Sequence, residues 1–360
     1  MAIPLSVYAH PEYEGQLKKA CENAKRLPPV INADVCSTCH DVHNFKKMTP
    51  KKTAFLNNDL DKFCSKPSTK EKLDYRLYNP KAPALPAAKV HDIELVAIEK
   101  QAIVATNVSQ QLWTFNGKVP GPVIRVKLGD KIRVHFKNPA SNQLPHSVDF
   151  HASQAAWNDE MTSINPGEEK LYEWTADYAG VWMYHCGSNP ALHHIASGMY
   201  GMVIVEPKGG LPKVDHEFAL VQSEFYLGHN NHGADMGHAA NSRPDYVVFN
   251  GVAFQYKDHP IQVKTGKKVR LFVLNAGPSE DSSFHIVGTI FNRVIKEGME
   301  LTANNKGHYG SQAVDLAPAQ GAIIELTTKE DGLYPIVTHA FNFVGKGALG
   351  FLKAGDGNPH

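Results

Sequence analysis

From Lys89 onward the chain consists of short runs rich in Val, Ile, Thr and aromatic residues, and Gly, Pro, Asn or Asp interrupts these runs at close intervals. Regular short runs of this kind are typical of β-sandwiches and β-barrels. The sequence contains 28 glycines and 23 prolines, which are residues that tight turns favour. This texture predicts an all-β architecture for most of the chain.

The runs fall into two series, separated by the turn-rich segment 207–212. A chain of 360 residues exceeds what one hydrophobic core usually serves. We therefore expect two tandem β-sandwiches, at residues 89–208 and 209–360. The predicted strands are 94–105, 112–116, 123–126, 131–137, 168–173, 180–185 and 201–206 in the first series, and 217–223, 246–249, 261–264, 268–275, 284–290, 322–327, 333–338 and 347–352 in the second.

The two series repeat short motifs in the same order. Asn116-Gly117 in the first is matched by Asn250-Gly251 in the second. Later, Asn165-Pro166-Gly167-Glu168 is matched by Ala317-Pro318-Ala319-Gln320. Repetition of this kind predicts an internal duplication.

Residues 1–88 form a separate block with a different character. They carry a net charge of +5, against −4 for the remainder, and they hold four of the five cysteines. Helix-like spacing over 11–27 and 53–64 predicts a small, mostly helical unit. The prolines of 79–86 favour an extended linker before the first sandwich.

Composition limits the partners of the chain. Its net charge of +1 argues against nucleic acid. No apolar run is long enough to cross a bilayer, and the first ten residues lack the charged and apolar regions of a signal peptide. We therefore expect a soluble protein with no membrane span, from which any export signal has been removed.

Histidine is abundant, with 19 residues, and the strongest metal-ligand candidates lie in two segments. His146 and His151 are close in sequence, and His185-Cys186 is followed by His194 and Met199. One thiolate, two imidazoles and a thioether form the ligand set of a blue-copper electron-transfer site. A lone Cys or Met after a strand usually belongs to the core, but packing alone does not explain this combination.

Strand alternation divides these candidates into two groups. Adjacent side chains on a strand face opposite ways, so His185 and Cys186 are expected to serve two different metal ions joined by one peptide bond. The apolar residues Val148 and Phe150 lie between His146 and His151, which predicts opposite directions for these two imidazoles as well. One imidazole can join Cys186 and the other His185.

The chain resembles copper-containing nitrite reductases, the two-domain cupredoxin branch of the multicopper oxidase superfamily. The resemblance spans residues 89–355 and rests on the segment 114–122 and on the ordered set His146, Asp149, His151, His185-Cys186, His194 and Met199. It implies two tandem Greek-key, cupredoxin-like sandwiches. It also implies type 1 copper ligands at His146, Cys186, His194 and Met199, with His193 as a non-ligating neighbour.

The same resemblance implies a type 2 copper held by His151, His185 and, from the neighbouring subunit of a homotrimer, His339. By the same resemblance, Asp149 and His285 occupy the positions of the family's catalytic aspartate and histidine, which supply protons. The implied reaction is the reduction of nitrite to nitric oxide in denitrification, with electrons passing from the type 1 copper through Cys186-His185 to the type 2 copper. The implied setting is the periplasm or another extracytoplasmic space. The implied donor is a small cytochrome c or cupredoxin.

Two other functions remain as alternatives. One is a two-domain multicopper oxidase or a cupredoxin electron-transfer protein, which keeps the type 1 site and uses the second copper differently. The His-X-His pairs that a trinuclear copper cluster needs are absent from the sequence, which argues against a laccase. The other is a copper carrier, which is disfavoured because a closed ligand set that includes a thiolate suits redox tuning better than release.

The N-terminal block contains Cys36-Ser37-Thr38-Cys39-His40, which matches the attachment pattern of c-type haem. A haem c on Cys36, Cys39 and His40 would pass electrons to the type 1 copper, and some nitrite reductases resemble this arrangement by carrying a fused cytochrome c domain. Cys21 and Cys64 would then form one disulfide. Two disulfides among these four cysteines are the alternative.

The histidines His91, His216, His259 and His308 have no metal-type partners nearby in the sequence. We expect them at the surface.

Overall fold

A computed structural model describes residues 40–41, 44–48, 77–228, 233–301 and 310–358, of which 40–41 and 44–48 are described by backbone alone. The chain divides into two compact units, Met1–Lys72 and Leu73–His360. In the first unit, strands β1 (His40–Asp41) and β2 (Asn44–Met48) pair antiparallel. The predicted helices and the cysteines of the N-terminal block lie outside the described residues, as does the side chain of His40.

The second unit begins with a sandwich of two four-stranded sheets. One sheet has the order β4-β3-β6-β8, and the other has the order β5-β10-β9-β7. The strands are β3 (Val90–Ala105), β4 (Val108–Phe115), β5 (Ile124–Lys127), β6 (Lys131–Lys137), β7 (Asp149–Phe150), β8 (Glu169–Thr175), β9 (Gly180–His185) and β10 (Tyr200–Glu206).

A second sandwich follows, with sheets of six and five strands. Their orders are β12-β11-β14-β19-β16-β17 and β13-β21-β20-β15-β18. The strands are β11 (His216–Phe225), β12 (Tyr246–Phe249), β13 (Ile261–Val263), β14 (Lys268–Asn275), β15 (Ser282–Ile286), β16 (Arg293–Lys296), β17 (Met299–Glu300), β18 (Val314–Leu316), β19 (Gly321–Thr327), β20 (Gly332–Thr338) and β21 (Leu349–Ala354).

The helices of the second unit are short and lie in the connections. They are α1 (Trp157–Glu160), α2 (Ala191–Ala196), α3 (Met236–Ala240), α4 (Gln255–Asp258) and a 3₁₀ helix at Phe341–Lys346. The expected all-β class with cupredoxin-like sandwiches is confirmed. Among the described residues, no helix has the length and apolarity that a bilayer crossing requires.

Strand β10 is buried along its whole length because both of its faces are covered. Val203 and Val205 point into the core of the first sandwich, whereas Met202 and Ile204 pack against strands of the second. The sequence of such a strand is a continuous hydrophobic run rather than an alternation of apolar and polar residues. The two sandwiches therefore share a third apolar core between them, to which the first sandwich contributes residues of β9 and β10.

Strand β9 alternates in the same way and thereby aims the residues at its end. Val181 and Met183 join the core between the sandwiches, whereas Tyr184 and Cys186 join the core of the first sandwich. His185 follows Met183 in this alternation and lies on the face opposite to Cys186.

The structure differs from the strand predictions mainly in short elements. Strands β16 and β18 were not predicted because each has only three or four residues and carries charged or half-exposed positions. Strand β4 begins at Val108, four residues before the prediction. The proline-rich segment 79–86 is extended and bonds to β11, through the Ala82 amide to the Glu217 carbonyl at 3.1 Å and the Ala219 amide to the Pro80 carbonyl at 2.7 Å.

The expectation that His91 lies at the surface is wrong. His91 is 9% exposed, and its Nε2 lies 2.8 Å from Oδ2 of Asp130. Asp130 is 39 residues from His91, and the pairing of β3 with β6 brings the two together, which the local sequence does not indicate. His259 is exposed and His216 is half-buried, whereas His308 lies outside the described residues.

Candidate metal centres

The first candidate centre lies at the end of β9, inside the first sandwich. Cys186 Sγ lies 3.3 Å from Nδ1 of His194 and 4.0 Å from Nδ1 of His146, and the two Nδ1 atoms are 3.2 Å apart. All three residues are buried. Their donor atoms therefore converge on one point in the core.

The loop after Cys186 brings His194 and Met199 back to the strand. His194 is on helix α2, and its carbonyl accepts the amide of Met199 at 3.1 Å. The Met199 carbonyl in turn accepts the amide of Cys186 at 3.0 Å. Met199 is fully buried in the same core. Three of the four predicted ligands thus form the cluster, and the backbone of the fourth is bonded to two of them.

The spacing of the donor atoms suits a metal ion. An ion bound in the plane of one sulfur and two nitrogens at about 2.0–2.3 Å holds those atoms about 3.5–3.8 Å apart. The observed separations of 3.2–4.0 Å bracket this range. A thiolate with imidazoles favours copper or zinc, and an added thioether is typical of blue copper.

Electrostatics favour the thiolate form of Cys186. Burial by itself raises the pKa of the thiol, but the adjacent imidazoles of His146 and His194 outweigh it and hold the pKa well below its usual range. The amide of Ser147 also points at Sγ, at 3.4 Å. The sulfur is therefore prepared to act as an anionic ligand.

His146 has a second partner on its other ring nitrogen. Nε2 lies 3.1 Å from Oε1 of Glu99, which also accepts the amides of Gln143 and Leu144 at 3.0 Å each. Burial raises the pKa of Glu99, but these hydrogen bonds outweigh it and lower the pKa below its ordinary value. Nε2 of His146 therefore donates its proton to a carboxylate, and Nδ1 is left facing Cys186.

His193 lies outside the cluster, although it neighbours His194 in sequence. Its ring packs on Trp113 with the centroids 4.6 Å apart, and the ring of Trp113 also contacts that of His194, at 4.7 Å. The indole is buried beside the cluster. The sequence did not predict Trp113 or Glu99 at this centre, because Glu99 is 47 residues from His146, and Trp113 is on β4, far along the chain from the helix α2 that carries His193 and His194.

The second candidate centre lies on the opposite face of β9. Nε2 of His151 and Nε2 of His185 are 3.0 Å apart, and Oδ2 of Asp149 is 3.7 Å from Nε2 of His185. The Nδ1 proton of His185 is directed at the carbonyl of Cys186, at 2.9 Å. This bond fixes the ring and leaves Nε2 free for a metal ion.

The remaining two predicted site residues lie together on the second sandwich. The rings of His285 and His339 are 5.2 Å apart between centroids. His285 lies near the end of β15, and its Nδ1 is hydrogen-bonded to the carbonyl oxygen of Gln312. Among the described residues, the potential metal ligands grouped with His151 are Asp149 and His185, and His339 is not one of them.

Comparison with known proteins defines the class. A family model described as multicopper oxidase matches residues 97–210. The copper-containing nitrite reductase of Neisseria meningitidis serogroup B is 40% identical over 295 residues, which cover 77% of this chain and 74% of that protein. A solved copper nitrite reductase from Nitrosomonas europaea is similar with a TM-score of 0.68 and 35% identity, over 74% of this chain and 94% of that chain. A crystal structure of a multicopper oxidase is similar with a TM-score of 0.64 and 30% identity, over 74% of this chain and 89% of that chain.

The paired sandwiches and the buried thiolate–imidazole cluster place the chain in the cupredoxin-type multicopper oxidase class. Within that class, the chain belongs to the family of copper-containing nitrite reductases. The family expected from the sequence is confirmed over the two sandwiches.

Proposed function

We propose that the chain reduces nitrite to nitric oxide, consuming one electron and two protons and releasing water. One observation supports this most directly. His185 is the last residue of β9 and Cys186 follows it, and each belongs to a different cluster of potential metal ligands. A single peptide unit therefore joins a site suited to electron transfer with a site suited to substrate.

The donor sets fit two different coppers. We assign the type 1 site to His146, Cys186, His194 and Met199, and the type 2 site to His151, His185 and His339. Copper held there would supply one-electron chemistry at the thiolate site and a Lewis-acid position for a nitrite oxygen at the imidazole site.

The proton chemistry belongs to Asp149 and His285. Breaking a nitrogen–oxygen bond builds negative charge on the departing oxygen, so a proton donor must stand within hydrogen-bond reach. The carboxyl group of Asp149 lies beside His185, at the second cluster. Nδ1 of His285 is bonded to the carbonyl of Gln312, which leaves Nε2 to hold and release a proton.

The second site is proposed to be completed by a neighbouring copy of the chain. His151 and His339 are both exposed, and they belong to different sandwiches. In a closed ring of three copies, each His339 meets the His151–His185 pair of the next copy, so all sites are filled at once. Light scattering on the copper-loaded protein should give a trimer, and a fully active monomer would contradict this assembly.

The decisive experiment measures copper and product together. The loaded protein should contain two coppers of different type per chain by metal analysis and EPR, and it should release nitric oxide from nitrite with a reduced small cytochrome c or cupredoxin as donor. An electron-transfer protein would show the thiolate-copper spectrum without nitric oxide. A two-domain oxidase would instead consume dioxygen with phenolic or metal donors.

The N-terminal block needs a separate test, because its cysteines lie outside the described residues. Protein matured through an export pathway should show one covalent haem per chain in a pyridine haemochrome spectrum if Cys36, Cys39 and His40 bind haem. A polypeptide mass lower by four hydrogens would instead indicate two disulfides. Either outcome is typical of a protein that works outside the cytoplasm, as we propose for this chain.

A further inference from the structure

Glu99 accepts three hydrogen bonds on one oxygen, and each holds a different part of the first candidate centre. The amides of Gln143 and Leu144 belong to the turn that leads into Pro145 and His146, and the third donor is Nε2 of His146 itself. The carboxylate is 9% exposed at the side chain, and His146 is fully buried. This arrangement places a negative charge one imidazole ring away from the convergent donor atoms.

The second sandwich contains the same carboxylate without the imidazole. Asn116 and Asn250 occupy equivalent turns, and they bond the backbone of Val96 and Val221 respectively. Glu99 lies three residues beyond Val96, and Glu224 lies three residues beyond Val221. The two glutamates are therefore at equivalent positions.

The turn contacts of Glu224 repeat those of Glu99. Oε1 of Glu224 accepts the amides of Ser279 and Glu280, at 3.0 and 2.7 Å. The residue two positions after Glu280 is Ser282, and it bonds Gln222 rather than Glu224. Holding the turn is thus common to both glutamates, whereas the side-chain partner differs: it is the imidazole of His146 for Glu99 and the hydroxyl of Tyr226 for Glu224.

Resting on the copper site proposed above, we propose that Glu99 is a positioning residue that also sets the reduction potential of that site. Its carboxylate accepts the hydrogen bond that Nε2–H of His146 donates, which keeps the proton on Nε2 and leaves Nδ1 unprotonated and directed at Cys186. A carboxylate bonded to the far nitrogen of a ligating imidazole makes the ligand more basic. Added negative charge favours the oxidised metal over the reduced one, so the potential is lowered.

The test neutralises the charge and keeps the hydrogen-bond acceptor. Glu99→Gln retains an oxygen for the two amides and for His146, and it should keep copper and the visible thiolate band. At a fixed solution potential, the ratio of reduced to oxidised copper should rise about tenfold, a shift of about 59 mV for one electron. Spectroelectrochemical titration of the thiolate band measures this shift.

Glu224→Gln is the matched control, because it replaces the carboxylate at the equivalent position of the second sandwich and keeps an oxygen for the same turn amides. The potential of Glu224→Gln should equal that of the wild type, and thermal unfolding of both variants reports the structural cost separately. An unchanged potential in Glu99→Gln, or an equal shift in both variants, would overturn the proposal, since either result would reduce Glu99 to a structural role.

A second measurement needs neither copper nor turnover. In the zinc-loaded protein, the Nε2 proton of His146 should exchange slowly with solvent and be visible by proton NMR, and it should exchange rapidly in Glu99→Ala. Rapid exchange in the wild type would refute the assignment. Failure of the proposed function appears differently, as absent thiolate-copper absorption or absent nitric oxide in the wild type.

Discussion

Asn116 in the first sandwich and Asn250 in the second both adopt a left-handed backbone conformation, with φ of 56° in each case, and a glycine follows each. Their amides donate to the carbonyls of Val96 and Val221 at 2.8 Å, and their side-chain oxygens accept the amides of the same two residues. An asparagine tolerates this conformation better than most residues. The two sandwiches therefore repeat the same turn atom for atom.

A second pair of asparagines extends the repeat. Asn138 and Asn275 each accept a backbone amide at 2.7 Å, from Gly167 and Ala319 respectively. Each also donates from its side chain to two carbonyls, those of Leu144 and Ile164 in the first sandwich and those of Glu280 and Leu316 in the second. Hydrogen bonds thus fix the same framework twice.

The side chains placed on this framework differ. Ser282 stands where the first sandwich has His146, and Thr338 stands where it has Cys186. The amide of Ser283 bonds Oγ1 of Thr338 at 3.0 Å, in the same way that the amide of Ser147 points at Sγ of Cys186. A duplicated framework can therefore keep its backbone bonds while only one copy carries the buried ligands.

The comparison also relates the two proposed proton carriers. Asp149 is paired with His185 in the register of β7 and β9, and His285 is paired with Val337 in the register of β15 and β20. Both positions come three residues after the equivalent pair His146 and Ser282. The same position of the repeated framework thus holds a carboxylate, Asp149, in the first sandwich and an imidazole, His285, in the second.

The largest effect is expected at Cys186, the ligand position where the second sandwich has Thr338. Cys186→Ala removes the thiolate and should abolish the intense visible absorption and nitrite reduction with a protein donor, while the copper at the second centre is retained. Thr338→Ala is the control at the equivalent position, and it should lose about 1 kcal/mol of unfolding free energy and no copper. Absorption spectra, metal analysis and thermal unfolding decide between these outcomes, and a surviving band in Cys186→Ala would show that the assignment is wrong.

The next effect concerns the two proton carriers. Asp149→Asn and His285→Ala should each lower the nitrite turnover rate by about 10²–10⁴-fold, because a positioned proton donor contributes that much to a rate. Both variants should keep two coppers, since neither residue is assigned as a ligand. Steady-state kinetics with metal analysis is the measurement. Loss of the second copper, or normal turnover, would exclude a proton-carrying role.

The sequence predicted much of this comparison, because its evidence is local. The Asn-Gly turns and the ordered His and Cys residues lie in short segments with defined spacing, and alternation along β9 separates His185 from Cys186. The turn contacts of Glu99 and Glu224 and the bond from His146 to Glu99 could not be predicted, because these partners are more than forty residues away along the chain. The burial of His91 against Asp130 was missed for the same reason.

The contact between the sandwiches depends on a buried ion network, and its loss should have a smaller effect. Glu217 of β11 bonds Arg125 of β5 through both carboxylate oxygens, at 2.9 and 3.0 Å, and Arg270 of β14 at 2.7 Å. Glu217→Gln removes the carboxylate that Arg125 and Arg270 share. Each arginine keeps one other partner, Glu206 and Glu325 respectively, so the change should cost about 2 kcal/mol of unfolding free energy. Glu94→Gln, which alters an exposed pair with Lys137, is the control and should change little.

The same network predicts a pH dependence. Burial raises the pKa of Glu217, but Arg125 and Arg270 outweigh it and lower the pKa below its ordinary value. The charged form therefore stabilises the folded state fully above the unfolded pKa of about 4.3, and this stabilisation is lost as the pH falls through the folded pKa. The stability difference between wild type and Glu217→Gln should narrow below about pH 4 in denaturant titrations. A constant difference would mean that the carboxylate charge is not the cause.

The smallest effect is expected at the turn that the two sandwiches repeat, which contains Asn116 in the first and Asn250 in the second. Asn116→Ala and Asn250→Ala each remove the side-chain bonds that hold the turn and place alanine in a left-handed conformation. Asn250 is fully buried and also bonds the hydroxyl of Tyr256 at 2.7 Å, whereas Asn116 is half-buried. We expect losses of about 1 kcal/mol for Asn116→Ala and about 2 kcal/mol for Asn250→Ala, because a buried partner left unsatisfied costs more. Chemical denaturation measures both values. Equal losses would indicate that the turn conformation, and not burial, sets the cost, while the visible copper spectrum should be unchanged in both variants.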